Sequence, residues 1–203
     1  MKDDLLCGGA FCWIARRRGL LTVTLACLAL ANVLWGRAEP VHLLGPGWWS
    51  PVSLLLWVFL VAGITVRIWG AGNLRKNKEV TRTGVYRMVR HPLYLGNCLL
   101  FLVFFASVGG VVGLVLFTLL LFGVHYPVMI QEEARLAREY PGQFADHRRL
   151  RRLVPDLSAL PEALDSDCFS WSRVRANYGT RTLWALVLLP CLPEALEMLR
   201  DLV

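Results

Sequence analysis

Three long stretches of the chain contain no Asp, Glu, Lys or Arg, and each is apolar on all sides of a helix. They are residues 19–36, 48–66 and 93–130. A membrane-spanning helix needs about 20 largely apolar residues, whereas a buried helix of a soluble protein normally keeps a polar stripe with a period of about 3.6 residues. The first two stretches therefore each predict one spanning helix, over about 20–35 and 50–69.

The first stretch also has features of a secretory signal. Arg16, Arg17 and Arg18 precede it, and Ala29-Leu30-Ala31 resembles a signal-peptidase site. The flank before the arginines is long for a signal peptide, and the apolar run continues to Trp35. These two features favour a helix that is retained in the membrane.

The third stretch is long enough for two spans. As one helix of 38 residues it would reach about 57 Å, nearly twice the hydrocarbon thickness of a bilayer. The sequence Ser107-Val108-Gly109-Gly110 predicts a turn, with a short apolar helix before it and a full-length helix over 111–130. We therefore predict an all-α, polytopic membrane protein with four transmembrane helices. A fifth stays open at 182–193, where two prolines interrupt a short apolar run.

The basic residues predict the orientation of these helices. The net charge is +7, and the excess lies before residue 19, in the loop 70–92 and after residue 130, whereas the loop 37–47 has a single arginine. Because basic loops stay on the cytosolic side, the amino terminus, the 70–92 loop and the 132–172 segment should all be cytosolic. This distribution explains the positive charge better than binding to nucleic acid. The preference for arginine over lysine, 19 to 3, hints at a GC-rich prokaryote and hence an inner membrane.

The best candidate for chemistry is the start of the third apolar stretch. Pro92 is suited to the first position of a helix, and His91 should then cap it. Unpaired N–H groups at such a terminus, with Arg90 and His91 beside them, form a plausible site for a ligand carboxylate. Tyr94 lies one turn inside, and Gly96 allows close approach of a helix or a ligand. Each also has a structural reading: lipid-phosphate contacts for Arg90 and His91, an interfacial aromatic for Tyr94, and helix packing for Gly96.

Two adjacent acids stand where the last apolar helix meets the cytosol. Glu132 and Glu133 point about 100° apart, so one helix should present only one of them to a site. Apolar positions Ile130, Ala134 and Ala137 mark one face, and the spacing slightly favours Glu133 as the inward residue. The alternative is a solvated helix end.

Taken together, these segments resemble a known family. The sequence Gly-x-Tyr-Arg-x-x-Arg-His-Pro-x-Tyr-x-Gly at 84–96, an apolar hairpin and Glu-Glu-x-x-Leu at 132–136 are similar to the isoprenylcysteine carboxyl methyltransferases, which in turn resemble phospholipid N-methyltransferases. Arg67-Ile68-Trp69-Gly70 fits the same pattern. The resemblance covers about 64–155, near half of the chain.

This resemblance implies a pocket for S-adenosylmethionine (SAM) on the cytosolic side. The carried-over cofactor residues are Tyr86, Arg90, His91, Pro92, Tyr94 and Gly96, together with Phe144 and His147, which stand where the family often has two tyrosines. Glu132 and Glu133 become the catalytic candidates. The implied reaction transfers a methyl group to a lipidic, prenylated or otherwise membrane-embedded acceptor. No metal and no covalent nucleophile are expected, because a sulfonium already activates its methyl group.

The acceptor and two other functions stay open. Eukaryotic members carry an arginine just before the acid pair, whereas this stretch reads His125-Tyr126-Pro127, so a carboxylate is only one acceptor among oxygen, nitrogen and sulfur nucleophiles. The alternatives are a membrane reductase that uses NADPH and a non-catalytic protein that retains the fold. We expect three segments: membrane helices over 1–63, a methyltransferase-like core over 64–155 and an extension with a membrane-associated helix over 156–203. The oligomeric state is not predicted.

Overall fold

The computed structural model describes residues 9–35, 41–44, 48–76, 78–164, 168–177, 188 and 191–200. In this part of the chain the regular structure is entirely helical, so the protein is a polytopic helical membrane protein, as the sequence predicts. Among the described residues, three helices are long and apolar enough to cross a bilayer: Phe11–Leu34, Pro51–Asn73 and Gly110–Glu139. The fourth expected span is a shorter apolar helix of 17 residues.

The helices follow the chain in a simple order. Helix α1 covers Gly9–Leu34 and α2 covers Pro51–Asn73, and after a 3₁₀ turn at Gly84–Arg87 come α3 (Pro92–Val108), α4 (Gly110–Thr118), a π-helical segment (Leu119–His125) and α5 (Tyr126–Glu139). Short elements follow: α6 (Pro141–His147), a 3₁₀ turn (Leu157–Ala159), α7 (Leu160–Leu164), α8 (Trp171–Asn177) and α9 (Leu192–Arg200). Most of the apolar run at 182–193, where a fifth span was left open, lies outside the described residues.

The turn between α3 and α4 is confirmed. Helix α3 ends at Val108 and α4 begins at Gly110. Gly109 has φ = 80° and Gly110 has φ = 66°, a region that L-residues with a side chain rarely adopt. The two glycines therefore reverse the chain and divide the 38-residue apolar stretch into two helices.

Two helix ends differ from the sequence expectation. Helix α1 begins eleven residues before the expected start and includes all three arginines at 16–18. Helix α5 runs from the bilayer segment to Glu139, so the acid pair lies inside a continuous helix and not at its end. In both cases a charged helical segment extends an apolar one, because the hydrogen bonds of the helix backbone continue beyond the last apolar residues.

The described contacts group into two compact units of interleaved segments. Unit 1 contains residues 1–59, 101–133 and 188–203, and unit 2 contains residues 60–100 and 134–187. The three consecutive segments expected from the sequence stay a prediction.

Unit 1 has a large apolar core. Its fully buried residues include Ala29 and Val33 of α1, Phe104 and Phe105 of α3, and Leu120 of the π segment. Many apolar side chains of the spans point outward, such as Val111 at 76% exposure, as expected for a surface solvated by lipid tails.

The connection after α1 is tied into unit 1 by polar contacts. Glu194 of α9 is buried and accepts hydrogen bonds from the backbone N–H groups of Leu43 (3.0 Å) and Leu44 (2.9 Å). Ser53 of α2 donates to the carbonyl of His42 at 2.7 Å. These bonds satisfy backbone groups that are buried at Leu43 and partly buried at His42 and Leu44.

In unit 2, α8 closes the end of α2. The last carbonyls of a helix have no partner within the helix. Here the carbonyl of Gly72 accepts from Ser170 N (3.0 Å) and Arg173 Nε (2.8 Å), and the carbonyl of Ala71 accepts from Asn177 Nδ2 (2.9 Å). Helix α8 therefore supplies the donors that the last carbonyls of α2 lack within their own helix.

The π-helical segment before α5 has a local cause. Pro127 has no backbone N–H, and its ring would clash with the carbonyl four residues earlier in a regular α-helix. Widening the preceding turns to a π-helix over Leu119–His125 relieves both problems while the helix continues. The sequence expectation of a regular helix over 111–130 did not include this segment.

Candidate functional site

The candidate site in unit 2 joins two segments that are some sixty positions apart in the chain. We call residues 84–92 the motif segment and residues 147–156 the strap. Three backbone hydrogen bonds link them: Arg90 N to the Arg151 carbonyl (2.9 Å), His91 N to the Arg152 carbonyl (3.1 Å) and Asp156 N to the Met88 carbonyl (2.8 Å). The strap therefore fixes the backbone that leads into α3.

The motif segment folds as its glycine and proline require. Gly84 has φ = 59°, and a Cβ built there would lie 2.5 Å from Nδ2 of Asn73, so a larger residue is excluded for two independent reasons. A 3₁₀ turn follows over Gly84–Arg87. Helix α3 then begins at Pro92, with His91 immediately before it, as the sequence predicts. These features place His91 and Arg90 at a helix amino terminus.

Arg90 contacts the strap through its side chain as well as its backbone. Its Nη2 donates hydrogen bonds to the carbonyls of Arg148 and Leu150. The guanidinium therefore positions the strap, in addition to any role in binding a ligand. Its predicted contact with a carboxylate stays a prediction.

The two histidines of the site are both buried. His147 is 5% exposed and its Nε2–H donates to the Arg90 carbonyl at 3.2 Å, while the ring of His91 stands edge-on to Tyr94, with centroids 5.7 Å apart. Burial lowers the pKa of His147 below its ordinary value. The hydrogen bond to Arg90 opposes this shift, and electrostatic interactions with His91, Arg90 and Arg82 add to it. His147 is therefore neutral at pH 7 and serves as a hydrogen-bond donor to the motif segment.

The predicted aromatic residues of unit 2 are also largely inside. Tyr86 is 7% exposed and packs with Val85 and Val89, and Phe144 is 5% exposed on α6. Tyr94 is half-buried in the first turn of α3. The predicted contact of these three aromatic residues with a cofactor stays a prediction.

Gly96 lets two helices of unit 2 come together. A Cβ at Gly96 would collide with Cγ of Arg67 and would lie 2.9 Å from the carbonyl oxygen of Gly63, both on α2. Gly96 is therefore a packing glycine between α2 and α3, which is the structural alternative given in the sequence analysis. A direct contact of Gly96 with a cofactor stays a prediction.

Two polar residues at the end of α2 belong to this site, although the sequence did not single them out as ligand residues. Arg67 is 6% exposed and Asn73 is fully buried. Arginine within a membrane-spanning helix is rare and usually functional, and this was the available signal for Arg67. Asn73 gave no such signal, because asparagine at the cytosolic end of a helix is ordinary.

Two side-chain oxygens near the motif segment have no hydrogen-bond partner among the described residues: Oδ1 of Asn73 and Oγ1 of Thr83. Asn73 donates through Nδ2 to the carbonyl of Trp69 (2.9 Å), which fixes the orientation of the amide. A buried acceptor without a donor costs about 1–3 kcal/mol. A ligand that brings hydroxyl or amino groups would remove this cost.

The acid pair belongs to unit 1. The expected inward face of Ile130, Ala134 and Ala137 is wrong, because all three residues are exposed, so that argument for Glu133 fails. Glu133 is 8% exposed, whereas Glu132 is half-buried and the following Ala134 is exposed. Glu133 is the more buried acid of the two, and its catalytic role stays a prediction.

Comparison with known proteins supports the family resemblance of the region that contains the motif segment. Residues 48–143 match the family model described as phospholipid methyltransferase. The matched range includes the motif segment, the α3–α4 turn and the acid pair. It confirms the family relationship inferred from the motifs at 84–96 and 132–136.

A named relative covers more of the chain. The cobalt-zinc-cadmium resistance protein CzcN of Cupriavidus metallidurans (strain ATCC 43123 / DSM 2839 / NBRC 102507 / CH34) is 32% identical over an alignment of 155 residues, and the alignment covers 70% of this chain. The match covers 62% of the relative, so this chain corresponds to less than two thirds of that protein. No solved structure matches the chain.

Proposed function

We propose that this chain, whose residues 48–143 belong to the phospholipid methyltransferase family, transfers a methyl group from SAM to a membrane-embedded acceptor. The observation that carries the proposal is the motif segment. Its arginine and histidine stand at the start of α3, where they are held by the strap within a unit that also buries Arg67 and His147.

The residues of unit 2 suit the groups that SAM presents. Its carboxylate is complementary to the amino terminus of α3 and to the cationic groups of Arg67 and Arg90. Its hydroxyl and amino groups are donors that suit the buried oxygens of Asn73 and Thr83. Buried Tyr86 and Phe144 supply apolar surface for an adenine ring. The family likeness adds Glu132 or Glu133, for the ribose or for the sulfonium.

SAM, when bound, supplies a methyl group that needs no further activation. The work left to the protein is to orient the two reactants and to exclude water. The strap is suited to this role because its contacts hold the motif segment from one side. Neutral His147 fixes the carbonyl of Arg90 without adding a charge to the site.

The orientation proposed for this reaction has the motif segment and the strap on the cytosolic side, where SAM is available, while the acceptor enters from the bilayer. Single cysteines placed at Lys78 and at residue 38 test it, in a background without the native cysteines. An impermeant maleimide added to intact cells should label position 38 and not position 78. Labelling at position 78 would contradict this orientation.

The experiment that tests the function is calorimetric titration of the purified protein in detergent. SAM and S-adenosylhomocysteine should both bind, and NADPH should not. Binding of NADPH in their place would favour the reductase alternative. Binding of none of the three by a folded protein would favour a non-catalytic role, a reading left open by the relative, whose printed name describes metal resistance and no reaction.

A matched pair of variants sharpens the titration. Asn73→Leu removes the buried oxygen that we assign to the ligand, whereas Asn177→Leu removes an amide of the same unit that is already bonded to the carbonyls of Ala71 and Leu74. Only Asn73→Leu should weaken SAM binding. Equal affinities in the two variants would remove Asn73 from the site.

A further inference from the structure

The outward side chains of the strap form a basic surface that has no part in the site described above. Among them Arg148, Arg149 and Arg151 are exposed. Their guanidinium groups form no hydrogen bond or ion pair within the described part of the chain. The strap backbone thus faces the motif segment through its carbonyls, while three cationic side chains are left to solvent.

The acidic residues near these arginines are engaged elsewhere. Asp146 pairs with Arg82 at 2.8 Å, and Glu162 pairs with Arg87 at 2.9 Å. The carboxylate of Asp156, the one acid in the strap sequence, caps the 3₁₀ turn that follows it. The positive charge of the strap is therefore suited to an anion from outside the chain.

An exposed apolar surface lies on the short helical elements directly after the strap. Leu157 and Leu164 are 69% and 67% exposed and Leu160 is also exposed, whereas Ala163 is fully buried. Spacings of three and four positions place the three leucines, which we call the leucine face, on one side of a helical path. Exposed apolar side chains bordered by basic ones are typical of a surface that binds a membrane or a protein.

Contacts within unit 2 attach these two surfaces to the ends of membrane helices. The strap carbonyls bind the backbone of Arg90 and His91, immediately before α3 begins at Pro92. Exposed Trp171 begins α8, which caps the last carbonyls of α2. Aromatic residues of this kind are enriched at the level of the lipid headgroups. The strap is therefore attached where the chain leaves the bilayer.

We propose that this surface binds anionic lipid of the bilayer. The three exposed arginines bind headgroup phosphates, and the leucine face inserts between the headgroups. Arginine presents several N–H donors that fit phosphate oxygens, and a basic cluster at a membrane surface attracts anionic lipids.

A lipid suits both surfaces at once, because one molecule carries a phosphate and acyl chains. Free phosphate would satisfy the arginines and leave the leucine face in water. The binding is separate from the methyl transfer proposed above and does not depend on it.

The test measures which lipid contacts the leucine face. Leu157→Cys, in a background without the native cysteines, carries a fluorescent label in nanodiscs of equal parts phosphatidylcholine and phosphatidylglycerol. Brominated acyl chains, which quench a nearby fluorophore, are on the phosphatidylglycerol in one sample and on the phosphatidylcholine in the other. The two samples therefore have the same charge and the same bromine content.

Brominated phosphatidylglycerol should quench the label about twofold more than brominated phosphatidylcholine, because the arginines gather anionic lipid around the leucine face. The difference should shrink as NaCl is raised, since ions screen exposed charges. Equal quenching by the two lipids would contradict selection of anionic lipid. No quenching by either would mean that the leucine face meets water or another protein, including a second copy of this chain, and would overturn the inference.

A variant with three substitutions assigns the selectivity to the strap. Arg148→Gln, Arg149→Gln and Arg151→Gln, combined in one chain, keep the backbone bonds to the motif segment and remove the three charges. The preference for phosphatidylglycerol should be lost. A preference equal to that of the parent protein would overturn the assignment to these arginines.

The control removes the same amount of charge from arginines that already have acceptors within the chain. It combines Arg75→Gln, Arg135→Gln and Arg138→Gln, whose parent side chains bond to Glu79, Glu139 and the carbonyl of Ala134. This variant should keep the preference, and an equal loss in both variants would make the effect one of net charge alone. Melting temperatures check that both are folded. If the strap variant does not fold, the NaCl series on the parent protein decides between the same outcomes.

Discussion

The two compact units bury different kinds of ionisable side chain. In unit 1 the buried ionisable side chains among the described residues are carboxylates, Glu133 and Glu194, and they lie among mostly apolar residues. In unit 2 the buried ionisable side chains among the described residues are the guanidinium of Arg67 and the imidazoles of His91 and His147, with no carboxylate. A carboxylate-bearing ligand is complementary to the interior of unit 2 and not to that of unit 1.

The difference teaches how to separate structural from functional polar groups in a membrane protein. The burial of Glu194 has a structural explanation, because its carboxylate accepts hydrogen bonds from the backbone N–H groups of Leu43 and Leu44. Asn73 keeps an oxygen without a donor among the described residues. Because each uncompensated group lowers stability, those that persist point to a ligand that compensates them.

The largest effect should come from closing the contact between α2 and α3 in unit 2. Gly96→Val places new atoms against Arg67 and the carbonyl of Gly63, so overpacking should lower the free energy of unfolding by about 3 kcal/mol. The measurement is thermal unfolding in detergent. The control is Gly123→Val in unit 1, where a Cβ meets nothing within 4 Å. Equal losses in both variants would contradict tight packing at Gly96.

The next effect concerns the strap. Arg90→Ala should lower SAM affinity by one to two decades, which corresponds to the roughly 1.5–3 kcal/mol of a hydrogen bond to a charged group. Arg90→Lys separates charge from geometry, since lysine keeps the charge but has a single nitrogen for the carbonyls of Arg148 and Leu150. We expect Lys to be nearly as poor as Ala. Full affinity in Arg90→Lys would assign Arg90 to the ligand charge alone.

A polar group of unit 1 should behave differently. Glu194→Leu leaves two backbone N–H groups without their acceptor, so stability should fall by about 1–3 kcal/mol, and SAM affinity should not change. Unfolding and calorimetric titration measure the two quantities. A loss of SAM affinity in a folded Glu194→Leu protein would break the distinction between the units.

The acid pair provides the sharpest internal comparison. Glu133→Gln should lower SAM affinity or turnover at least tenfold, about 1.4 kcal/mol, because it removes a buried negative charge. Glu132→Gln should change little. Parent-like behaviour of both variants would make the pair a structural part of α5 and remove it from the site.

The features that were predicted from the sequence are those that depend on local sequence patterns. The spans followed from stretches without charge, because lipid tails cannot solvate a charge or an unpaired backbone group. The start of α3 followed from Pro92, and the chain reversal followed from Gly109 and Gly110. Each of these features depends on a few adjacent residues.

The features that were not predicted depend on contacts between distant segments. Nothing in the strap sequence indicates that its carbonyls bind Arg90, some sixty residues earlier. The docking of Glu194 on Leu43 joins positions 151 residues apart. The π segment is the exception, because Pro127 was visible and its effect on the preceding turn was not considered.

The smallest effect is a pH dependence of unit 2. Burial and nearby positive charge lower the pKa of His147 in the folded protein, so the unfolded chain binds the proton more readily. Stability should be complete above the ordinary histidine pKa of 6.5. It should fall as the pH decreases through that value toward the lower pKa of the folded state. Melting temperatures between pH 8 and pH 5 measure this slope.

Two variants on α6 assign the slope to one residue. His147→Gln removes the titrating ring, so its melting temperature should depend less on pH than that of the parent protein. Phe144→Leu loses buried apolar surface on the same helix and keeps His147, so it should melt at a lower temperature with an unchanged slope. If His147→Gln keeps the full slope, protonation of another group is responsible, and the neutral donor assigned to His147 in the strap is wrong.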